Sequence, residues 1–427
     1  MRTLDLQRVR QFSLWQPVTV RDFRLLWFGQ GVSLFGDQFY LVALPWLTYQ
    51  LTGSALALGT VLMVAGVARA IFQLLGGALS DRFSPRTLML VSNVVRAVVT
   101  FAITAIVLTG VTRLWHLYLL SVVFGLVDAF FFPAYMSIVP KLVANEYLAA
   151  GNALLRGTAR FMALIGPATA GVIISTQSLG MAFAIDTATF VFAVGSIWLM
   201  KEQPPISVKE FTSTEALIAD ERSGRMGLFR SIKEGLLYAW HHPLIRALLF
   251  FIAAIEFSFT GPSSVGLAAL AKQRFAFEGG ATSLGWMMSS FGGGMLIGML
   301  VAGSIKVARR QGRVVIGVTF VFGLGLALLG LSTNLLWACA TLAFIGLGGG
   351  LANIIILALV QAKTDKRMLG RVMGLMMFGM SLLEPLSFTL AGAMADANLT
   401  ILFAASGAII LATTLLSLGS SALRSTN

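Results

Sequence analysis

Nine ionisable side chains stand inside runs of residues that are otherwise apolar: the acids Asp37, Asp128, Asp186, Glu256 and Glu384, and the arginines Arg69, Arg96, Arg156 and Arg160. A carboxyl group in such a setting can take up and give back a proton, because loss of water penalises its charged form and a neighbouring cation reverses that penalty. Arginine stays charged at any pH a cell reaches. It can hold an acid ionised, but it cannot carry the proton. The near balance of the two signs also has a plainer reading, in which structural ion pairs account for about half of these residues, since buried charges are normally paired.

Other chemistries find no constellation. His116, His241 and His242 are the only histidines and Cys339 the only cysteine, so neither a metal cluster nor a nucleophile with its base is expected, and no cofactor or catalytic residue. The runs Gly292 to Gly294 and Gly348 to Gly350 sit inside apolar blocks, where glycine serves packing; a phosphate loop needs a Lys-Ser/Thr that is missing here. A membrane enzyme is therefore the weaker class.

The elements that must position these groups follow from composition. Of 427 residues, 57% are hydrophobic and 11% charged, against about a quarter charged in soluble proteins. The apolar residues fall in blocks near the roughly 20 residues that cross a bilayer as helix. Twelve spans are predicted, at 24–49, 57–80, 86–109, 114–139, 148–175 and 179–200, then 244–271, 282–305, 313–332, 335–361, 370–394 and 399–420. The fold class is all-α integral membrane, with twelve transmembrane helices in two pseudo-symmetric six-helix bundles. A cytoplasmic N-terminal arm (1–23), a bundle (24–200), a polar linker with short surface helices (201–243), a second bundle (244–420) and a tail (421–427) divide the chain.

With both termini on one side, Arg113, Lys272 and Arg274 are the only basic residues in loops on the other. Basic loops stay in the cytoplasm, which puts both termini there and explains a formal charge of +13 without a nucleic-acid partner. The bilayer is the partner instead, and two six-helix halves suffice as a monomer. Arg2, Arg8 and Arg10 interrupt the N-terminal arm, which therefore lacks the apolar core of a signal peptide.

The two halves resemble each other at matching junctions, as duplicated bundles do. After the second span comes Gly77-Ala-Leu-Ser-Asp81-Arg82-Phe-Ser-Pro85-Arg86, and after the eighth Ser304 to Arg313, with Arg82 matching Arg309 and Arg86 matching Arg313. Glu146 and Asp365 each precede a helix-opening glycine, Gly151 and Gly370, by five residues. The segment Gly77 to Arg86 resembles the inner-loop signature of the major facilitator superfamily. Phe23 to Gln30, Gly36-Asp37, Tyr40, Leu44-Pro45-Trp46, Gly125 to Pro133, Gly166-Pro167 and Leu369-Gly370-Arg371 are similar to its macrolide-efflux and enterobactin-exporter branch. The resemblance implies the twelve-helix fold, a prokaryotic plasma membrane, and export of small molecules driven by proton entry, with drug resistance as an outcome.

Roles are assigned on that frame. Asp37 is the favoured proton-coupling group, with Asp128 or Glu256 second, and Arg69, Arg96, Arg156, Arg160, Asp186 and Glu384 are charge partners. Gly77, Asp81, Arg82 and Arg86 form an inner gate loop in which Asp81 caps a facing helix and Arg82 or Arg86 meets a carboxylate; both arginines also suit simple topological anchoring. Gly166, Pro167 and Gly171 allow the fifth span to bend and gate, or serve close packing alone. Gly29, Ser33, Asp37 and Tyr40 recur at helical spacing. With Phe132, Thr260, Met377 and Ser381, the Ser33 and Tyr40 side chains are the expected lining of the cargo cavity. The cargo is macrolide-like or a varied apolar drug, or else a siderophore or lipid-like compound, and a non-transporting receptor or scaffold is the competing class.

Overall fold

The computed structural model describes residues 14–80, 83–201, 237, 240–241, 243–304, 311–364 and 368–419; the side chains of 74–80, 243–244, 247–248, 311–313, 362–363, 369–371, 377–378 and 417–419 are not among those described. Asp81, Arg82, most of the 201–243 linker and the tail therefore lie outside the described residues. So does the side chain of Met377.

Twelve long helices make up the described chain: α1 Arg21–Thr52, α2 Ala55–Ser80, α3 Pro85–Leu108, α4 Leu114–Leu142, α5 Leu148–Thr176, α6 Leu179–Trp198, α7 Pro243–Gly261, α8 Ala281–Ser304, α9 Gln311–Leu329, α10 Leu335–Lys363, α11 Leu369–Ala397 and α12 Leu399–Gly419. After Gly261, α7 continues through a π-helical turn, Pro262–Gly266, into Leu267–Gln273. Each helix lies within about three residues of its predicted span. Local chemistry sets several of these ends. Ser84 accepts from the Thr87 N–H ahead of Pro85, Ser178 from Met181 and Asn334 from Trp337, each satisfying a first-turn donor. Gly53 closes α1 with φ at +66°, a backbone shape that costs glycine nothing.

Ten stretches are long and apolar enough to cross a membrane, and Val314–Leu329 is apolar but shorter. In α1 the polar residues Gln30, Ser33, Asp37 and Gln38 dilute an otherwise apolar sequence. Large apolar side chains such as Val98, Phe101, Leu336 and Leu416 are exposed, as lipid-facing surfaces require; a soluble protein seldom shows so much.

The packing follows one rule. In the first half α1 packs on α5 and α6, α3 on α4 and α6, and α2 on α4. Adding six to each number gives the second half: α7 on α11 and α12, α9 on α10 and α12, α8 on α10. The halves meet along two seams, α2 with α11 and α5 with α8, which the same shift exchanges. This is pseudo-twofold symmetry read from contacts. Where helices cross closely, glycine permits it: a methyl group on Gly294 or Gly298 would run into the carbonyls of Ala343 and Leu347 on α10.

Candidate functional site

Between the halves lie two adjoining cavities. The larger, about 1020 Å³, is lined by Asp37 on α1, Arg69 on α2, Arg96 on α3, Asp128 on α4 and Arg156 on α5. The smaller, about 400 Å³, takes Tyr40, Arg160, Phe259, Met288 and Glu384. Arg69 and Asp128 border both. Since α1 contributes residues up to Asp37 to the first and from Gln38 onward to the second, the larger cavity lies toward the side where α1 begins. The smaller lies toward the opposite side.

At the partition stand two ion pairs. Arg69 meets Glu384, 315 residues away, and joins α2 to α11 across the halves. Arg96 meets Asp128 on the neighbouring helix, with the guanidinium 4.5 Å from the ring centre of Phe131 and 5.6 Å from that of Phe190. Pairing and ring faces replace the water these charges give up. Of the expected charge partners, then, Arg69, Arg96 and Glu384 are in ion pairs.

The other predicted residues take varied places. Asp37 faces the larger cavity. Glu256 faces neither cavity and accepts a long 3.4 Å hydrogen bond from Thr260, so Thr260 is tied to its own helix rather than lining the cavity. Arg156 is exposed to the larger cavity, and Arg160 donates to the Met295 sulfur at 3.3 Å; neither is in an ion pair among the described residues. Asp186, expected as a charge partner, is fully buried and likewise in none. Phe132 and Ser381 line the larger cavity, and Ser381 donates to Gln73 at 3.3 Å. Tyr40 stacks on Phe124 at 4.4 Å.

Ser33 departs from the expected stripe. It is completely buried, and Gly29 packs on Ser196 of α6. Each four-residue step along a helix drifts by about 40°. Over two steps, a row that starts against α6 therefore turns into the cavity at Asp37. Among the described residues Arg86 meets no carboxylate: its guanidinium donates to the carbonyls of Ile197 and Trp198 at 3.1 and 2.7 Å, closing the C-terminal end of α6, where cations are favoured.

The predicted helix-five motif stands at the α5–α8 seam. Pro167 has no N–H to return to the Ala163 carbonyl, and Gly292 of α8 approaches so closely that a methyl group there would strike that oxygen. The next N–H, of Ala168, donates to Ser289 at 2.9 Å. Gly171 and Gly285 have no more room, against Ala281 and Pro167. Helix α8 thus services the proline break.

Sequence reading missed Asp396. At the end of α11 its carboxylate accepts from the Ser54 hydroxyl at 2.6 Å and from the N–H groups of Ala55 and Leu56 at 2.6 and 3.0 Å, holding the start of α2 on the side opposite the termini. On the same side, Gln273 donates to Tyr49 at 3.0 Å and the Lys272 ammonium lies 5.3 Å from the Trp46 ring centre. Thr282 donates to Ser175 at 2.8 Å. The only trace of Asp396 in the sequence is an acid at a span's end and a serine after Gly53 at the next helix start.

Two pseudo-symmetric six-helix halves that close on a charged internal cavity define a transport protein of the membrane. The model of the Major Facilitator Superfamily matches residues 26–388, and the chain belongs to that family. It is 26% identical to the multidrug efflux pump Tap of Mycolicibacterium fortuitum, over 85% of this chain and 86% of that one. It is 24% identical to macrolide efflux protein A of Streptococcus pyogenes (88% and 89% covered) and to the enterobactin exporter EntS of Shigella boydii serotype 18 (83% and 80%). Among solved structures, a crystal structure of the nucleoside transporter NupG superposes with a TM-score of 0.73 at 12% identity, over 93% of this chain and 99% of that one. That likeness is one of fold.

Proposed function

We propose that the chain is a secondary active exporter of small, largely apolar organic compounds, of the macrolide or multidrug type, that exchanges cargo for protons by alternating access. The observation that carries this is Asp37. It is a carboxyl group on the wall of the larger cavity, at membrane depth, and it has no ion-pair partner among the described residues. Such a group costs several kcal/mol unless hydrated or put to use. Asp128 is already engaged by Arg96 and Glu256 lines neither cavity, so Asp37 keeps the first place among the proton carriers and the other two stay second. Names of relatives support export, and the polar contacts on the side opposite the termini fit a state open toward the terminal side. By the basic-loop rule that side is the cytoplasm of a prokaryotic cell, and one chain suffices.

Cargo-dependent proton flux in vesicles holding the purified protein tests the reading. Loss of coupled flux in Asp37→Asn is expected. Full coupled flux in all of Asp37→Asn, Asp128→Asn and Glu256→Gln would overturn it, and absence of any cargo-dependent flux would favour the receptor or scaffold class.

A second reading of the cargo rests on Arg156 and Arg160. They stand one turn apart on α5, each bordering a cavity, and neither pairs with an acid among the described residues. Two such cations suit an anionic cargo of the siderophore type. Uptake of paired anionic and cationic probes of similar size, each with and without a pH gradient, separates the two readings.

A further inference from the structure

One acid has no part in that reading. Asp186, on α6, is fully buried, and both its carboxyl oxygens are without a hydrogen-bond partner. No cationic side chain among the described residues lies within the 4.0 Å of an ion pair. Its Oδ1 abuts the backbone of Gly36, where a methyl group would stand 2.9 Å away, so the carboxyl group sits beside the residue that precedes Asp37. Other polar groups on the neighbouring helices α1 and α3 are buried without partners as well. Asn93 on α3 is fully buried with both amide atoms unpartnered, and so are the Ser33 hydroxyl and the Nε of Arg96.

A lone carboxylate in such a place would cost several kcal/mol, whereas the neutral acid carries no charge to bury. The ionisable groups that reach it are Asp37 and Tyr40 from α1 and Arg96 from α3. On α5, Arg156 and Arg160 face the cavities instead. Asp128 comes next behind Arg96, whose charge it already engages.

We propose that Asp186 is a second proton-binding group of the transporter, set behind the cavity wall, which passes its proton to Asp37 and takes it back. The inference rests on the reading of Asp37 as the carrier. In the forward step the O–H bond of Asp186 breaks, the proton joins the Asp37 carboxylate, and the negative charge left on Asp186 faces Arg96. No electron changes hands. The two acids together then hold one proton or two, and the second is stored out of reach of the cargo.

Infrared difference spectra of the full-length protein in lipid vesicles, titrated from acid to alkaline buffer, test this directly. The expected result is a protonated-carboxyl C=O band at neutral pH that is lost in Asp186→Asn, displaced in Asp186→Glu, and bleached by alkali. In Asp37→Asn the pH at which the band bleaches should change, because the group that exchanges the proton has been removed. A band that does not depend on residue 186, or one that neither titrates nor responds to Asp37→Asn, overturns the proposal. If Asp186→Asn does not assemble, displacement of the band in Asp186→Glu decides. Full proton-coupled flux in Asp37→Asn vesicles overturns the reading of Asp37 instead; loss of that flux with a residue-186 band that fails to titrate overturns only the storage of a proton at Asp186.

Discussion

The two seams that join the halves occupy equivalent places in the pseudo-symmetric fold and are built from different chemistry. Along α2 and α11, beside close glycine approaches at Gly59 and Gly392 and the Ser381–Gln73 bond, stand ionic and charge-assisted contacts: Arg69 with Glu384 at mid-depth, and Asp396 on the first N–H groups of α2. Along α5 and α8 no ion pair crosses among the described residues; there a run of backbone approaches at Gly171, Gly285 and Gly292 is joined by hydroxyl bonds at Ser289 and Thr282 and by the Arg160 bond to the Met295 sulfur. Charged contacts inside a membrane are strong only while both partners stay in place. Glycine contacts depend on shape and little else. Under the proposed function, the first seam is the one that would respond to protons and charged cargo, and the second would be the close-fitting pivot.

The largest test of that contrast is to strand a charge. Glu384→Ala leaves Arg69 unpartnered, and breaking a buried pair costs roughly 3–5 kcal/mol. The two side chains are 33% and 22% exposed, which puts the expected loss near the bottom of that range. Thermal unfolding in detergent should show it, and the exchange Arg69→Glu with Glu384→Arg should recover most of it. If Arg160→Ala, on the α5–α8 seam, is as damaging, the contrast fails.

Next in size is overpacking the α5–α8 seam. Gly292→Val must push the Ala163 carbonyl away, at about 1–3 kcal/mol in the same unfolding assay, with slowed transport. On the charged seam Gly66 has only the Pro385 ring near it, at 3.0 Å, so Gly66→Ala should cost less.

Asp396→Asn removes charge-assisted bonds worth about 1.5–3 kcal/mol, part of which the amide retains. The balance should move toward the state open on the side opposite the termini by about tenfold, the equivalent of 1.4 kcal/mol. A membrane-impermeant thiol reagent added from that side should label Ser263→Cys, in a Cys339→Ser background, correspondingly faster. Unchanged labelling would remove Asp396 from the closure.

The smallest expected effect is at Ser289. Ser289→Ala deprives the Ala168 N–H of its acceptor and should cost about 1 kcal/mol, read as a modest fall in unfolding temperature with transport retained.

Helix positions were legible because a bilayer imposes a length and a composition on every span, and caps such as Ser84 and Asn334 leave local marks. The membership of Asp37, Asp128 and Arg69 in one cavity was within reach for the same reason, since ionisable groups at mid-span must face protein or water. Pairing was not legible. Nothing local tells Arg69 that its partner lies on α11, or Arg86 that it will meet the backbone carbonyls at the end of α6. Ser33 misled because a spacing of four residues follows a helix face only for a turn or two. Asp396 escaped because its role exists only where two distant helix ends meet.

The α5–α8 seam has one more consequence. Ala163, Pro167, Gly171, Ala281, Gly285 and Gly292, which form its tightest approaches, are all residues with no rotamers to lose when covered. At these approaches, closing the interface freezes almost no side-chain motion and parting it releases almost none, which leaves Arg160 and Met295 as the rotamer-rich side chains whose freedom changes when the seam moves.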